Sequence, residues 1–390
     1  TMERELKGSE RWAVLYVGSI GWTPNVVLPY EVESAMQRFG LSEMQAGWMS
    51  TIELLVLATI ALWLSRRVSA VDKSRWALGA GLVAALSTAG ALVASSLPLY
   101  LSCKMAAGAA VGVLIACCYG LAPYYRHPEK VFAQIGATMA VLFGAVMYLV
   151  PVVIAHAGPK GLELVLIALY AVGALGALRL PRSHAAMCDV TQSVAGPGVS
   201  GPRGVYLLLG AVAALFVSQT AALTFATSAG IARQLDAEQI GAVFTASMLA
   251  QLPAALLAGW LGNRFGFALP ILAGLVGLVL SAIGMYELST ASWFIAGACL
   301  LNAGAMLANA YLIAALAKLD ATGRSTATAG SITNYGMAFG PALAGVAVGV
   351  SGQLERAGWL CVGLLLLAAL LVLLARGRGI SEMVVPHTAG

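Results

Sequence analysis

One lysine, Lys104, stands alone as a formal charge within the fifty residues 76–125. An ammonium in such apolar surroundings needs a counter-charge or water, so Lys104 is the first candidate for function. Three carboxylates, Glu31, Glu33 and Glu53, also fall inside apolar stretches. A carboxyl of that kind can exchange protons, and an ammonium beside it can hold an anionic group or change partners between carboxylates. The structural alternative is a permanent ion pair between Lys104 and a glutamate. Glu31 and Glu33 could also be solvated at a helix end, and for Glu33 that is the favoured expectation.

Uncharged polar residues extend the set: Gln219, Gln251, Asn302, Asn309, Asn334 and Tyr335 in the second half, and Trp22, Asn25, Tyr30 and Tyr119 in the first. Amides both donate and accept, which suits a solute carrying carboxylate, hydroxyl or amide groups. Hydrogen bonding between helices explains any one of them equally well. For Trp12, Trp76, Trp293 and Trp359, close to the ends of apolar runs, an interfacial belt is expected.

Other chemistries lack their residues. There is no Gly-rich phosphate loop ending in Gly-Lys-Ser/Thr, no Gly-x-Ser-x-Gly elbow and no His-Glu-x-x-His helix, which removes support for direct use of ATP and for the common hydrolases and metalloproteases. His127, His156, His184 and His387 fall outside or at the ends of apolar runs, so a membrane-embedded enzyme has no cluster to work with. Of six cysteines, Cys103, Cys117, Cys118, Cys299 and Cys361 lie within apolar runs and Cys188 outside them. Their spacing matches no zinc pattern, so neither a metal nor a cofactor is expected, and packing between helices is their simplest role.

The elements that position these residues follow from composition. The chain is 60% hydrophobic and 10% charged, far from the roughly 25% charged of a soluble domain. Apolar runs of about 20 residues recur, each long enough to cross about 30 Å of hydrocarbon as a helix. An all-α membrane protein with twelve transmembrane helices is expected, over residues 12–36, 42–64, 76–96, 98–123, 131–156, 161–180, 203–228, 239–262, 268–288, 290–317, 325–350 and 353–375. Residues 181–202 read as a linker between two six-helix bundles, 1–180 and 203–390. Residues Met2–Glu10 alternate acids and bases without a cleavage pattern, so the first helix is expected to remain in place. Counted from the outer helix ends, Glu31 lies about 8 Å deep, Lys104 about 9 Å and Glu53 about 16 Å. A contact between Lys104 and Glu31 is therefore feasible, with Glu53 nearer the midplane as the proton-carrier candidate.

Basic residues set the orientation. Apart from Lys104, seventeen fall on the side of the N-terminus and four, Arg38, Lys160, Arg233 and Arg356, on the other. Cytoplasmic connections are the ones enriched in Lys and Arg, so both termini and the linker are expected there. The net charge of +5 is accounted for by this bias and calls for no nucleic acid.

The two halves also echo each other. Ala61-Leu-Trp-Leu-Ser-Arg-Arg-Val68 follows the second run, and Gly259-Trp-Leu-Gly-Asn-Arg-Phe-Gly266 follows the eighth. Such duplication is characteristic of transporters. The chain here resembles the major facilitator superfamily over essentially its whole length. The family's loop pattern G-x-x-x-D-[RK]-x-G is matched at Gly259, Arg264 and Gly266, with Asn263 for the Asp; in the first half Arg66 survives. Lys104-x-x-x-Gly108 stands where the family has R-x-x-x-G, and Gly18, Pro24 and Pro29 suggest its first-helix motif.

The resemblance implies two pseudo-symmetric six-helix bundles and secondary transport by alternating access. Lys104, Trp22, Asn25, Tyr30, Tyr119, Gln219, Gln251, Asn302, Asn309, Asn334 and Tyr335 would then contact substrate, Glu53 and Glu31 would couple protons, and Arg66, Gly259, Asn263, Arg264 and Gly266 would form gating loops. Proton-coupled carriage of a small organic anion is expected. The alternative is a proton-driven multidrug efflux antiporter, whose helix-five G-P-x-x-G-G motif the chain lacks; a non-transporting receptor ranks lower. The expected partners are the lipid bilayer, a small solute and protons, for a monomer in a bacterial inner (cell) membrane.

Overall fold

The structure is a computed structural model that describes residues 8–65, 67, 71–121, 128–180, 203–262, 264–319 and 324–376. Regular structure among the described residues is helical throughout. The α-helices are α1 (Gly8–Ile20), α2 (Thr23–Val26), α3 (Leu28–Phe39), α4 (Glu43–Ser65), α5 (Lys73–Val93), α6 (Leu97–Tyr119), α7 (Pro128–Ala157) and α8 (Gly161–Ala177). They continue with α9 (Arg203–Thr224), α10 (Ala226–Ala232), α11 (Ala237–Leu261), α12 (Ala268–Ala282), α13 (Ala291–Leu319), α14 (Arg324–Ser351) and α15 (Glu355–Arg376). A short 3₁₀ turn, Gly158–Lys160, joins α7 to α8, and α12 runs into a π turn, Ile283–Glu287.

These helices fill twelve segments. Helices α1–α3 occupy the first expected span and α9–α10 the seventh, and each of the others takes a single span. Among the described residues nine stretches are long and apolar enough to cross a membrane; one, Gln134–Ala177, contains both α7 and α8. The first segment is not among them because it is broken into short helices. It was expected as one helix, and the sequence explains why it is not. Pro24 and Pro29 sit in the first turns of α2 and α3 and cannot donate to the carbonyls four residues back. The Thr23 hydroxyl takes up one of these carbonyls, donating to the Ile20 oxygen at 2.6 Å.

Contacts divide the chain into two compact units. The first contains α1–α8 together with Leu235–Thr245, and the second holds the rest of α9–α15. In the first unit α4 lies against α6 at two glycines. A Cβ on Gly108 would stand 2.9 Å from the Glu53 carbonyl oxygen, and one on Gly112 would stand 2.5 Å from that of Leu57. In the second unit Gly336 and Gly340 give α14 the same close approach to α9. Both Gly-x-x-x-Gly pairs, Gly108 with Gly112 and Gly336 with Gly340, therefore act in packing. Trp12, Trp76, Trp293 and Trp359 are exposed, as interfacial residues should be.

Candidate functional site

The close α4–α6 contact brings Glu53 beside Lys104, because Lys104 lies one turn before Gly108 on α6 and the Glu53 carbonyl faces that glycine. The helix break brings Glu31. It stands in the first turn of α3, where the positive end of the helix dipole favours a carboxylate. Lys104 Nζ is 3.1 Å from Glu31 Oε2 and 3.3 Å from Glu53 Oε1. The three residues are 5%, 1% and 3% exposed, so water screens none of them. Lys104 thus meets both carboxylates rather than Glu31 alone. A second Glu31 oxygen, Oε1, has no hydrogen-bond partner among the described residues.

The charge count is the chemically decisive feature. One ammonium faces two carboxylates, so the ionised cluster carries one net negative charge in a low-dielectric interior. A single added proton makes it neutral.

Two residues passed over in the sequence join this unit. Arg38, counted there only for orientation, contacts Glu163 Oε1 on α8 at 3.4 Å. It also donates to the carbonyls of Leu92 and Ala94 at 2.9 and 2.6 Å, and its guanidinium lies over the rings of Phe39 and Tyr100. Glu163 sits beside Gly161 and Lys160 at a span end, where a residue reads as solvated rather than buried. The available sign was the pairing of a span-end acid with a span-end base.

The other first-half candidates are spread around the cluster. Tyr30 is buried and donates to the Met147 carbonyl at 3.1 Å. Asn25 is buried with Oδ1 unpartnered among the described residues, and Trp22 is half-buried. The side chain of Tyr119 lies outside the described residues.

In the second unit Gln219, Ser247 and Asn302 come together. Gln219 Nε2 approaches Asn302 Oδ1 at 3.5 Å, Asn302 Nδ2 donates to Ser247 Oγ at 2.8 Å, and that hydroxyl donates to the Ala298 carbonyl. Gln219 Oε1 and Asn309 Oδ1 have no partner among the described residues. Gln251 turns back to the Met248 carbonyl of its own helix at 2.9 Å; Asn334 and Tyr335 are half-buried.

Of the loop residues, Arg66 and Asn263 lie outside the described residues. Arg264 lies over the Trp260 ring at 5.2 Å, and Gly266 has a φ of +66°. Gly259 helps line a cavity of about 500 Å³ with Phe267, Tyr311 and Lys318. That cavity contains none of the charged-cluster residues.

Helices long and apolar enough to cross a membrane, with a buried cluster of opposite charges inside one unit, mark an integral membrane protein with a charged site within its helices. A family model described as Major Facilitator Superfamily matches residues 207–387. The nucleoside transporter NupG is similar in structure, with a TM-score of 0.73 and 11% identity over 95% of this chain and 98% of that one. A bacterial homolog to the human lysosomal transporter Spinster, inward-facing and occupied, gives a TM-score of 0.69 and 13% identity over 97% of this chain and 100% of that one. No curated protein matches the chain by sequence.

Proposed function

We propose that the protein is a secondary transporter of the major facilitator superfamily, that it is proton-coupled and that Lys104, Glu31 and Glu53 form its coupling site, the observation carrying this being two carboxylates on one buried ammonium. Protonation of Glu53 releases one carboxylate from Lys104. An ammonium offers three donors, so the freed position accepts an anionic group of the solute. Proton and organic anion then enter as one event, because the anion reaches Lys104 only once the proton has freed it from Glu53, and the two together leave the net charge of the cluster unchanged. Deprotonation on the opposite side returns Glu53 to Lys104 and expels the anion.

A second reading is a neutral polar solute. It is favoured by a Lys104 already doubly satisfied and by the unpartnered amide oxygens of Gln219 and Asn309. The structurally similar NupG is a nucleoside transporter, and nucleosides are of that chemistry. For the cell, the basic-residue bias supports cytoplasmic termini, a bacterial inner membrane is the proposed location, and one chain is the proposed working unit.

The test is proton movement in vesicles reconstituted with the full chain and given, in turn, organic acids, nucleosides and amphiphilic amines. Acids should drive co-directional proton flux, and Glu53→Gln should abolish it. Undiminished flux in that variant would rule out the coupling role. Flux driven by nucleosides alone would select the neutral solute, and counter-directional flux with amines an efflux antiporter.

A further inference from the structure

Besides Lys73 and the three residues at Lys104, the first unit buries one more charged group, Glu163, and its counterpart in the second unit shows what it does not need to be. Near the end of the first segment of each unit stands an arginine that donates to backbone at the end of the unit's third segment. Arg38 reaches the Leu92 and Ala94 carbonyls, and Arg233 reaches the Leu288 carbonyl at 2.9 Å. In each unit the sixth segment carries a glutamate in its first turn, Glu163 in α8 and Glu355 in α15. The arginine-to-carbonyl tie belongs to the repeat and explains both arginines as structure. It does not explain the glutamates alike, because Glu355 is exposed whereas Glu163 is 2% exposed.

Burial of Glu163 is poorly compensated for a structural ion pair. A guanidinium can grip a carboxylate through two parallel hydrogen bonds. Arg38 instead makes one long contact of 3.4 Å, while its Nη2 serves the two carbonyls. Glu163 Oε2 has no hydrogen-bond partner among the described residues. Leaving such an oxygen bare and ionised is costly, and a proton on it removes the charge.

Its place matters as much as its burial. Arg38 and Glu31 lie two turns apart on one face of α3, and Tyr100 and Lys104 one turn apart on α6, so the two helices meet twice. The lower contact is the ion pair Glu31–Lys104, and the upper is the Arg38 guanidinium over the Tyr100 ring at 5.4 Å. Glu163 closes the upper contact, nearer the end expected to face outward. The charged and titratable groups around it are Arg38 and Glu31 from α3 and Tyr100 and Lys104 from α6, with Lys160 at the exposed rim.

We propose that Glu163 is a second proton-binding site, an outer carboxylate through which protons are exchanged between the outside and the Lys104 cluster. This rests on the coupling role given to Glu31 and Glu53. On acidification Glu163 Oε2 accepts a proton and loosens its single contact with Arg38; transfer inward restores the carboxylate.

Infrared difference spectra of the full chain in lipid vesicles, recorded as pH falls from about 8 to about 5, test this without knowledge of the solute. The protonated-carboxyl C=O band should contain a component that disappears in Glu163→Gln and reappears, displaced, in Glu163→Asp. Solute-driven proton movement should fall at least about tenfold in Glu163→Gln, as for loss of a proton-transfer group, with its pH profile altered. A Glu163→Gln spectrum superimposable on the parent, with Glu163→Asp alike, would overturn the proposal, as would an unchanged pH profile. Loss of the band component only in Glu53→Gln would leave the coupling site intact while removing Glu163 from it. Loss only in Glu163→Gln, with flux surviving Glu53→Gln, would overturn the coupling site and with it the relay.

Discussion

At the scale of single residues, Lys104 is held by what it neutralises. Its replacement by alanine leaves Glu31 and Glu53 facing each other with no counter-charge, and removing one partner of a buried pair typically costs about 3–5 kcal/mol. Lys104→Ala should therefore melt well below the parent at neutral pH. The sign of its pH dependence follows from the charge count: protons can replace the missing ammonium, so the deficit should shrink as pH falls. A deficit independent of pH would mean that packing, not charge, is what Lys104 supplies. Thermal unfolding in detergent at several pH values measures this. Lys104 was legible in the sequence because fifty neighbouring residues carry no other charge. Glu53 was legible for the same reason, deep in an apolar run. Arg38 and Glu163 were not, since residues at a span end look solvated, and their burial depends on how far α3 and α8 extend and which neighbours cover them.

At the scale of elements, the cluster depends on two local features, a helix contact and a helix break. The contact is set by glycine. A valine at Gly112 would place its Cβ 2.5 Å from the Leu57 carbonyl oxygen, a backbone atom that cannot rotate away. Overpacking of this kind costs about 1–3 kcal/mol, so Gly112→Val should lower the melting temperature and weaken proton-coupled flux together, by moving Glu53 away from Lys104. Unchanged flux and stability would show that α4 and α6 adjust freely. The break is set by Pro24 and Pro29, which were visible in the sequence as a motif. Their effect on Glu31 was not visible. Placing Glu31 in the first turn of a new helix requires reading Pro29 as a helix start rather than as a kink inside one continuous span, and the apolar run alone does not separate the two. The number of spans, by contrast, was readable because the solvent imposes it: each run must be about 20 residues to cross hydrocarbon.

At the scale of the molecule, the two repeated units share their frame and differ in what they enclose. Both carry a broken first segment, an arginine tied to the end of the third, and a glycine-mediated helix contact. Among the described residues only the first encloses a cluster of buried charged groups, while the second holds the neutral set Gln219, Ser247 and Asn302. On the proposed mechanism the first unit then carries the titrating groups with Lys104, and the second offers further polar groups that do not titrate. That asymmetry makes the two tasks separable by mutation. Asn302→Ala removes the donor to Ser247 and the acceptor from Gln219, at about 0.5–1.5 kcal/mol per hydrogen bond. It should raise the KM for solute several-fold while leaving proton uptake by the solute-free protein unchanged. Glu53→Gln should do the reverse, suppressing proton uptake even where solute still binds. The pair of measurements, proton uptake on a pH jump and solute affinity by thermal shift, separates the units. Equal loss of both properties in each variant would mean that recognition and coupling share one set of residues.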